Sequence, residues 1–367
     1  MASAGKSRPD NIEVTEELIY KLPKTELHCH LDGSCRVETL VELADQQNVT
    51  LPFKSVDKLR THLEVGDRCE NLADYLKGFA VTLSVMQEAS AIERIAFELA
   101  EDAAKENVRY LEVRFSPILH INQGLRLSEI MEAVIRGLQR AEQMYPIKTG
   151  IIVCGIRSIA PDTSLRLAEL TVAYKNRKVM AFDLAGREDG YPAKDHQNAF
   201  ALILRNNVNV TAHAGEAYGP DSIKQAIHDC GAHRIGHGTH LIEDGDLLNY
   251  VNDHRIPIEI CLSSNVQTKA VKTFESHPLR TFYDYGLRVT INTDNRLMSA
   301  TTVTREIYLA AKTCNFSFDD VCNIIINGFK SAFLPYRERT NLLNEALAEL
   351  QKYGYQSTYF EDKAAAM

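Results

Sequence analysis

Two histidines two positions apart, His28 and His30 in KTELHCHLDG, are the first sign of chemistry in this chain. If that run is a strand, its period of two turns both imidazoles to the same face. Further on, His213 stands in TAHAGE, His237 in RIGHG and Asp294 in INTDN. A lone histidine at a strand end usually serves as a structural hydrogen bonder. Several imidazoles with one carboxylate, brought to one place, suit zinc or another borderline divalent ion. A catalytic metal also needs an open position for water and a group that manages protons. Glu216 lies three residues beyond His213, after the small pair Ala214 and Gly215, so a tight turn can bring its carboxylate back over the metal. His237 is either a further ligand or a base beside the bound water, and spacing leaves both open. Two-metal barrel hydrolases commonly place a bridging lysine at the end of the fourth strand. Here that position reads FDLAGRED, without one, so a single metal is expected.

These residues need a scaffold that brings distant segments together. Short apolar or alternating runs recur at 25–31, 108–117, 148–156, 178–186, 208–216, 233–238, 256–262 and 288–294. Amphipathic stretches such as 90–107 and 127–144 separate them, with apolar residues at three- and four-residue spacing. Alternating strand and helix implies a parallel sheet with right-handed crossovers. Eight such units predict an α/β fold, a closed (β/α)8 TIM barrel, whose strand ends meet at one mouth. No G-x-G-x-x-G follows the first strand, which disfavours a dinucleotide-binding sheet. Residues 32–107 exceed one crossover and predict a helical insertion, with helices near 35–47 and 71–88, lying over the mouth. From about residue 301 the chain reads as extra C-terminal helices. Without repeats, low-complexity tracts or a linker, residues 1–367 are expected to form one domain.

Composition narrows the partners. Of 367 residues, 45% are apolar and 25% charged, ordinary for a globular protein. Lys and Arg total 41 against 49 Asp and Glu, a net charge of −8, which disfavours a nucleic-acid partner. No stretch approaches the roughly 18 apolar residues of a membrane span, and MASAGKSRPDNIEVTEE has no apolar signal core. A cytoplasmic protein without a membrane partner is expected. The eight cysteines are scattered with no C-x-x-C pair, against both a disulfide framework and a thiolate zinc site.

Taken in order, KTELHCHLDG, FDLAG, HAGE, RIGHG and NTDN resemble the adenosine deaminase family, purine aminohydrolases of the metal-dependent hydrolase superfamily, from about residue 20 to residue 350. The resemblance implies a (β/α)8 barrel with one Zn2+. It also implies hydrolysis of the 6-amino group of a small-molecule purine nucleoside, adenosine or 2′-deoxyadenosine, to the inosine form and ammonia, in purine salvage. It gives His28, His30, His213 and Asp294 as zinc ligands, with water completing the sphere. Glu216 matches the proton donor to the ring nitrogen beside the attacked carbon, and His237 the residue that orients and helps deprotonate the water. Asp32, next to His30, matches the residue that holds a ribose hydroxyl, and both count among the substrate-binding positions. Gly186 matches the glycine whose N–H meets ring nitrogen N3. Leu72, Tyr75, Leu76 and Phe79, at helical spacing in the insertion, resemble the apolar wall over the substrate and equally fit the buried face of a helix.

The chain departs from the family in one place. Many members carry two adjacent aspartates after N-T, whereas here Asp294 is followed by Asn295 and Arg296. An amide can still donate to purine N7. The H-x-E…P-C-x-x-C signature of cytidine-type deaminases is missing. Asp183 and Glu259, acids within apolar strand runs, are candidate partners of the ligands or of buried salt links. No role is expected for His62, His120, His196, His228, His233, His240, His254 or His277, nor for Cys29 and Cys35. Two other functions compete: deamination of a 5′-modified adenosine (methylthioadenosine or aminodeoxyfutalosine), and a non-catalytic binding protein on the same barrel. AMP is disfavoured because its phosphate would face Asp32.

Overall fold

Eight parallel strands, hydrogen-bonded in chain order, form the centre of the protein in a computed structural model that describes residues 12–64 and 66–356. They are β1 (Lys24–His30), β2 (Val108–Phe115), β3 (Lys148–Ile156), β4 (Val179–Ala185), β5 (Asn209–Ala214), β6 (Arg234–His237), β7 (Ile258–Ile260) and β8 (Val289–Ile291). Cys29 forms a parallel bridge with Asp294. The His30 N–H donates to the Asp294 carbonyl (2.7 Å) and the Asp294 N–H to the His28 carbonyl (2.8 Å), so the last segment meets the first and the barrel closes. This seam places His28, His30 and Asp294 side by side.

Alternation decides what each strand puts inside. His28 on β1, Asp183 on β4, Thr211 and His213 on β5 and Glu259 on β7 touch one another within the barrel. Their neighbours Leu27, Phe182, Leu184, Val210 and Ala212 face outward into the core shared with the helices. The interior is largely ionic. Arg114 pairs with Asp183 (3.1 Å) and Glu259 (2.8 Å), and Arg234 with Glu259 (2.6 Å) and Glu112 (2.5 Å), all of them buried. Charges removed from water need such close, multiple pairing to offset their desolvation. Beneath them lies a thin apolar layer of Ile152, Ala181 and Phe333.

Outside, helices cover the sheet with one apolar stripe each. The helix Leu127–Met144 buries Ile130, Met131, Val134 and Leu138, the spacing expected of a 3.6-residue period. After β8 come Val303–Thr313, Phe318–Ser331 and Tyr336–Lys352, as expected from the sequence. A capping box of Ser317 and Asp320 starts the second of these. The chain then turns under the barrel, where the Phe333 N–H donates to Glu112 Oε1 (2.7 Å) and the Arg234 guanidinium lies 3.6 Å from the Phe333 ring centre. Among the described residues, no helix is long and apolar enough to cross a membrane.

Two expectations need correction. The last two strands are only three residues each, not 256–262 and 288–294. Past β8 the Asn292 side chain takes over from the ladder, its Oδ1 accepting the Leu27 N–H (2.9 Å), and past β7 the chain enters the short helix Leu262–Gln267. The helix expected near 71–88 is instead Leu72–Tyr75, a tighter turn Leu76–Gly78, and Phe79–Val85. The Tyr75 hydroxyl is anchored on Ser299 Oγ (2.7 Å), and this tie to the far end of the sequence accompanies the break.

Candidate active site

Three imidazole nitrogens and a carboxylate oxygen converge at the mouth. His213 Nε2 is 3.1 Å from His28 Nε2 and 3.1 Å from His30 Nε2, and Asp294 Oδ1 is 3.3 Å from both His28 Nε2 and His30 Nε2. Donors bound tetrahedrally at about 2.0–2.1 Å would stand roughly 3.3 Å apart. The tautomers point the same way. His28 Nδ1 faces Glu259 Oε2 (2.8 Å) and His213 Nδ1 faces Asp183 Oδ2 (3.1 Å), so both rings carry their proton on Nδ1. Their Nε2 lone pairs are thereby aimed at each other and at a carboxylate oxygen, an arrangement that a cation stabilises. Ser264 Oγ donates to Asp294 Oδ2 (2.7 Å), leaving Oδ1 for the cluster. The donor set fits one borderline divalent ion.

His237 reaches the same place by a different route. Arg234 points into the barrel from β6, so strict alternation would turn His237 outward. Its left-handed backbone (φ 64°) swings the ring into the mouth instead. His28, His213, His237 and Asp294 thus offer donor atoms within 4.8 Å of one another. Asp294 likewise has φ 60°.

Glu216 is buried, its Oε2 3.6 Å from His237 Nε2 and its Oε1 without a partner. Burial, then the charges of Asp294 and Glu188, hold its carboxyl well above the usual carboxylate range. A carboxyl that keeps its proton in neutral water can act as an acid. Its backbone is clamped: the Glu188 carboxylate accepts the N–H groups of Gly215 (2.9 Å), Glu216 (2.8 Å) and Ala217 (2.9 Å). Arg157 adds a brace, donating to the carbonyls of His213 (2.7 Å) and Tyr191 (2.9 Å).

Beside these groups is a cavity of about 220 Å3. Leu72, Tyr75, Leu76 and Phe79 from the insertion wall it on one side, and Asp32, Gly186 and Asn295 also line it. Asp32 Oδ1, Ser116 Oγ and Asn295 Oδ1 are buried there without partners, as groups awaiting a polar ligand would be. Burial pushes the Asp32 carboxyl up to about 6. Gly186 has φ 96°, a conformation an L side chain would strain. Gly33 makes room for Asn295, since a Cβ there would stand 1.8 Å from Asn295 Oδ1. A larger cleft of about 720 Å3 at the opposite end, lined by Lys148, Lys178, Glu142 and Glu349, holds none of these groups.

The structure therefore brings every sequence-predicted site residue but His28 to the wall of one cavity, and His28 stands behind that wall, 3.1 Å from His213. Sequence reasoning missed Glu188, Ser116, Ser264, Asn265 and Arg157. Each stands in or just beyond a strand run, where barrel side chains reach the mouth, and that position was the available signal. His277, given no role, is buried against Asn265 (3.2 Å).

Comparison with known proteins agrees with this geometry. Residues 23–349 match the family described as Adenosine deaminase. A probable adenosine deaminase of Dictyostelium discoideum is 45% identical over 94% of this chain, which spans 45% of that longer relative. The adenosine deaminase of Shewanella halifaxensis is 42% identical, over 88% of this chain and 98% of that one. The crystal structure of an Arabidopsis N6-mAMP deaminase superposes with a TM-score of 0.81 at 27% identity, covering 90% of this chain and 99% of that one. The matched stretch contains the whole metal-capable cluster and the carboxyl beside it, and by that match the chain belongs to the adenosine deaminase family.

Proposed function

We propose that the protein is a zinc-dependent adenosine deaminase, releasing ammonia from adenosine and 2′-deoxyadenosine in cytoplasmic purine salvage. The observation that carries this reading is the convergence of three histidine Nε2 atoms and Asp294 Oδ1 beside the buried carboxyl of Glu216. His28, His30, His213 and Asp294 would hold one Zn2+. When bound, zinc lowers the pKa of a water from about 15.7 toward about 7 and so supplies a nucleophile at neutral pH.

The chain's own groups do the rest. Attack at the amino-bearing carbon pushes electrons onto the adjacent ring nitrogen, and Glu216 delivers its proton there, stabilising the charge as it develops. Lining the same cavity, the Gly186 N–H would meet ring nitrogen N3 and the Asn295 amide N7. Asp32 accepts a ribose hydroxyl, satisfying its unpartnered oxygen. Leu72, Tyr75, Leu76 and Phe79 cover the ring and exclude water. His237 faces the attacking oxygen.

Similarity to an N6-mAMP deaminase raises a nucleotide as the second reading. Against it, Asp32 lines the cavity, and the Arg187 beside it is already paired with Asp189 (2.8 Å). Side-by-side ultraviolet assays of adenosine, 2′-deoxyadenosine, AMP and methylthioadenosine test the choice. Adenosine and 2′-deoxyadenosine should be consumed with the highest kcat/KM. A clear preference for AMP or the 5′-thio compound would reject the assignment.

A further inference from the structure

His237 shares the mouth with His28 and His213, yet its Nδ1 meets the opposite chemistry. The Nδ1 atoms of His28 and His213 face the carboxylates of Glu259 and Asp183, which only accept. Nδ1 of His237 faces the side-chain amide of Asn265 (2.9 Å), which can donate or accept. Which it does is decided two residues further along the contact chain. The backbone N–H of Leu279 donates to His277 Nδ1 (3.0 Å), and a backbone N–H can only donate. His277 is therefore neutral with its proton on Nε2. That nitrogen lies 3.2 Å from Asn265 Oδ1 and donates to it. The amide is thereby held with its NH2 toward His237, and Asn265 Nδ2 donates to His237 Nδ1. All three side chains are buried, with no more than 5% of each residue exposed, so water does not compete for these bonds.

We infer that the Leu279–His277–Asn265 relay locks His237 as its Nε2–H tautomer, making it a hydrogen-bond donor at the reacting centre rather than a metal ligand or a base. Nδ1 is occupied by an incoming donor and Nε2 carries the proton, so neither nitrogen has a lone pair free for an ion. Nε2, 3.6 Å from Glu216 Oε2, instead points an N–H at the side where the attacking oxygen must stand. His237 then holds and orients that oxygen without taking its proton. Asn265 and His277 are positioning residues that act through His237. This rests on the deaminase reading for its consequence, but the tautomer itself does not depend on any substrate.

The test is nitrogen NMR of the zinc-loaded, full-length protein labelled with 15N in histidine, the His237 ring signals being assigned as the pair lost in His237→Gln. Wild type should show His237 Nδ1 as a bare acceptor nitrogen and Nε2 bearing hydrogen. Asn265→Asp replaces the donating amide by an accepting carboxylate and should reverse the pair. With zinc content unchanged, kcat for adenosine should then fall by about 10²-fold, the scale of one lost donor to a developing oxyanion, while KM moves little. Asn265→Ala, which adds no buried charge, should lower kcat in the same direction without reversing the tautomer. A wild-type His237 protonated on Nδ1, or an Asn265→Asp protein with unchanged ring signals and unchanged kcat, overturns the inference. If wild type fails to turn over adenosine, the functional reading falls while the ring signals still decide the relay.

Discussion

Glu188 and Glu216, two buried glutamates on neighbouring loops, are given opposite tasks by their surroundings. Glu188 accepts three backbone N–H groups, so its charge is spent on holding a turn. Glu216 has an unpartnered oxygen and negative neighbours, so its proton stays available. Glu216→Gln should keep the metal and slow turnover by about 10²–10⁴-fold, the usual worth of a positioned acid. Metal analysis alongside kcat checks both halves, and a near wild-type kcat would remove Glu216 from the mechanism. The Asn295 side chain lines the cavity, and its amide nitrogen has two hydrogens to donate toward the purine. Asn295→Ala should weaken transition-state binding to adenosine by about 1–3 kcal/mol, the cost of a lost buried hydrogen bond. It should cost 7-deazaadenosine, which lacks N7, much less. Equal losses would mean that Asn295 only positions Asp294.

At the scale of elements, the loop after β8 is tied to the insertion. Arg296 pairs with Glu106 (2.5 Å), at the end of the helix Ala89–Lys105, and Glu106 also accepts the Thr304 N–H (2.9 Å). Both side chains are largely buried, so removing one strands the other charge. Arg296→Ala should cost about 3–5 kcal/mol in urea unfolding. A loss below about 1 kcal/mol, the scale of an exposed pair, would show that water reaches the site. Elements of this kind explain what the sequence could reveal. The H-x-H pair, HAGE and the strand-end Asp294 were legible because strand alternation and barrel topology are local or repetitive signals. Glu188 over the HAGE loop, His277 behind Asn265, and Tyr75 on Ser299 were not, because each partner is fixed only when distant segments meet. His237 was legible as a candidate but not as a donor. Its left-handed backbone and the relay behind it are properties of the folded mouth.

For the molecule as a whole, the barrel divides into a structural base and a reactive mouth. Below, Arg114 and Arg234 pair with Glu112, Asp183 and Glu259, and Phe333 closes the floor. Above, the same Asp183 and Glu259 set the tautomers of His213 and His28. The ion network that fills the interior therefore also sets how these two histidines present their Nε2 atoms to the cluster. The most direct measurement is adenosine turnover against zinc content in a single preparation, before chelation, after it, and on stepwise return of zinc. Turnover should vanish with the metal and return in proportion to it, reaching its maximum at one zinc per chain. Undiminished deamination by metal-free protein would contradict the account.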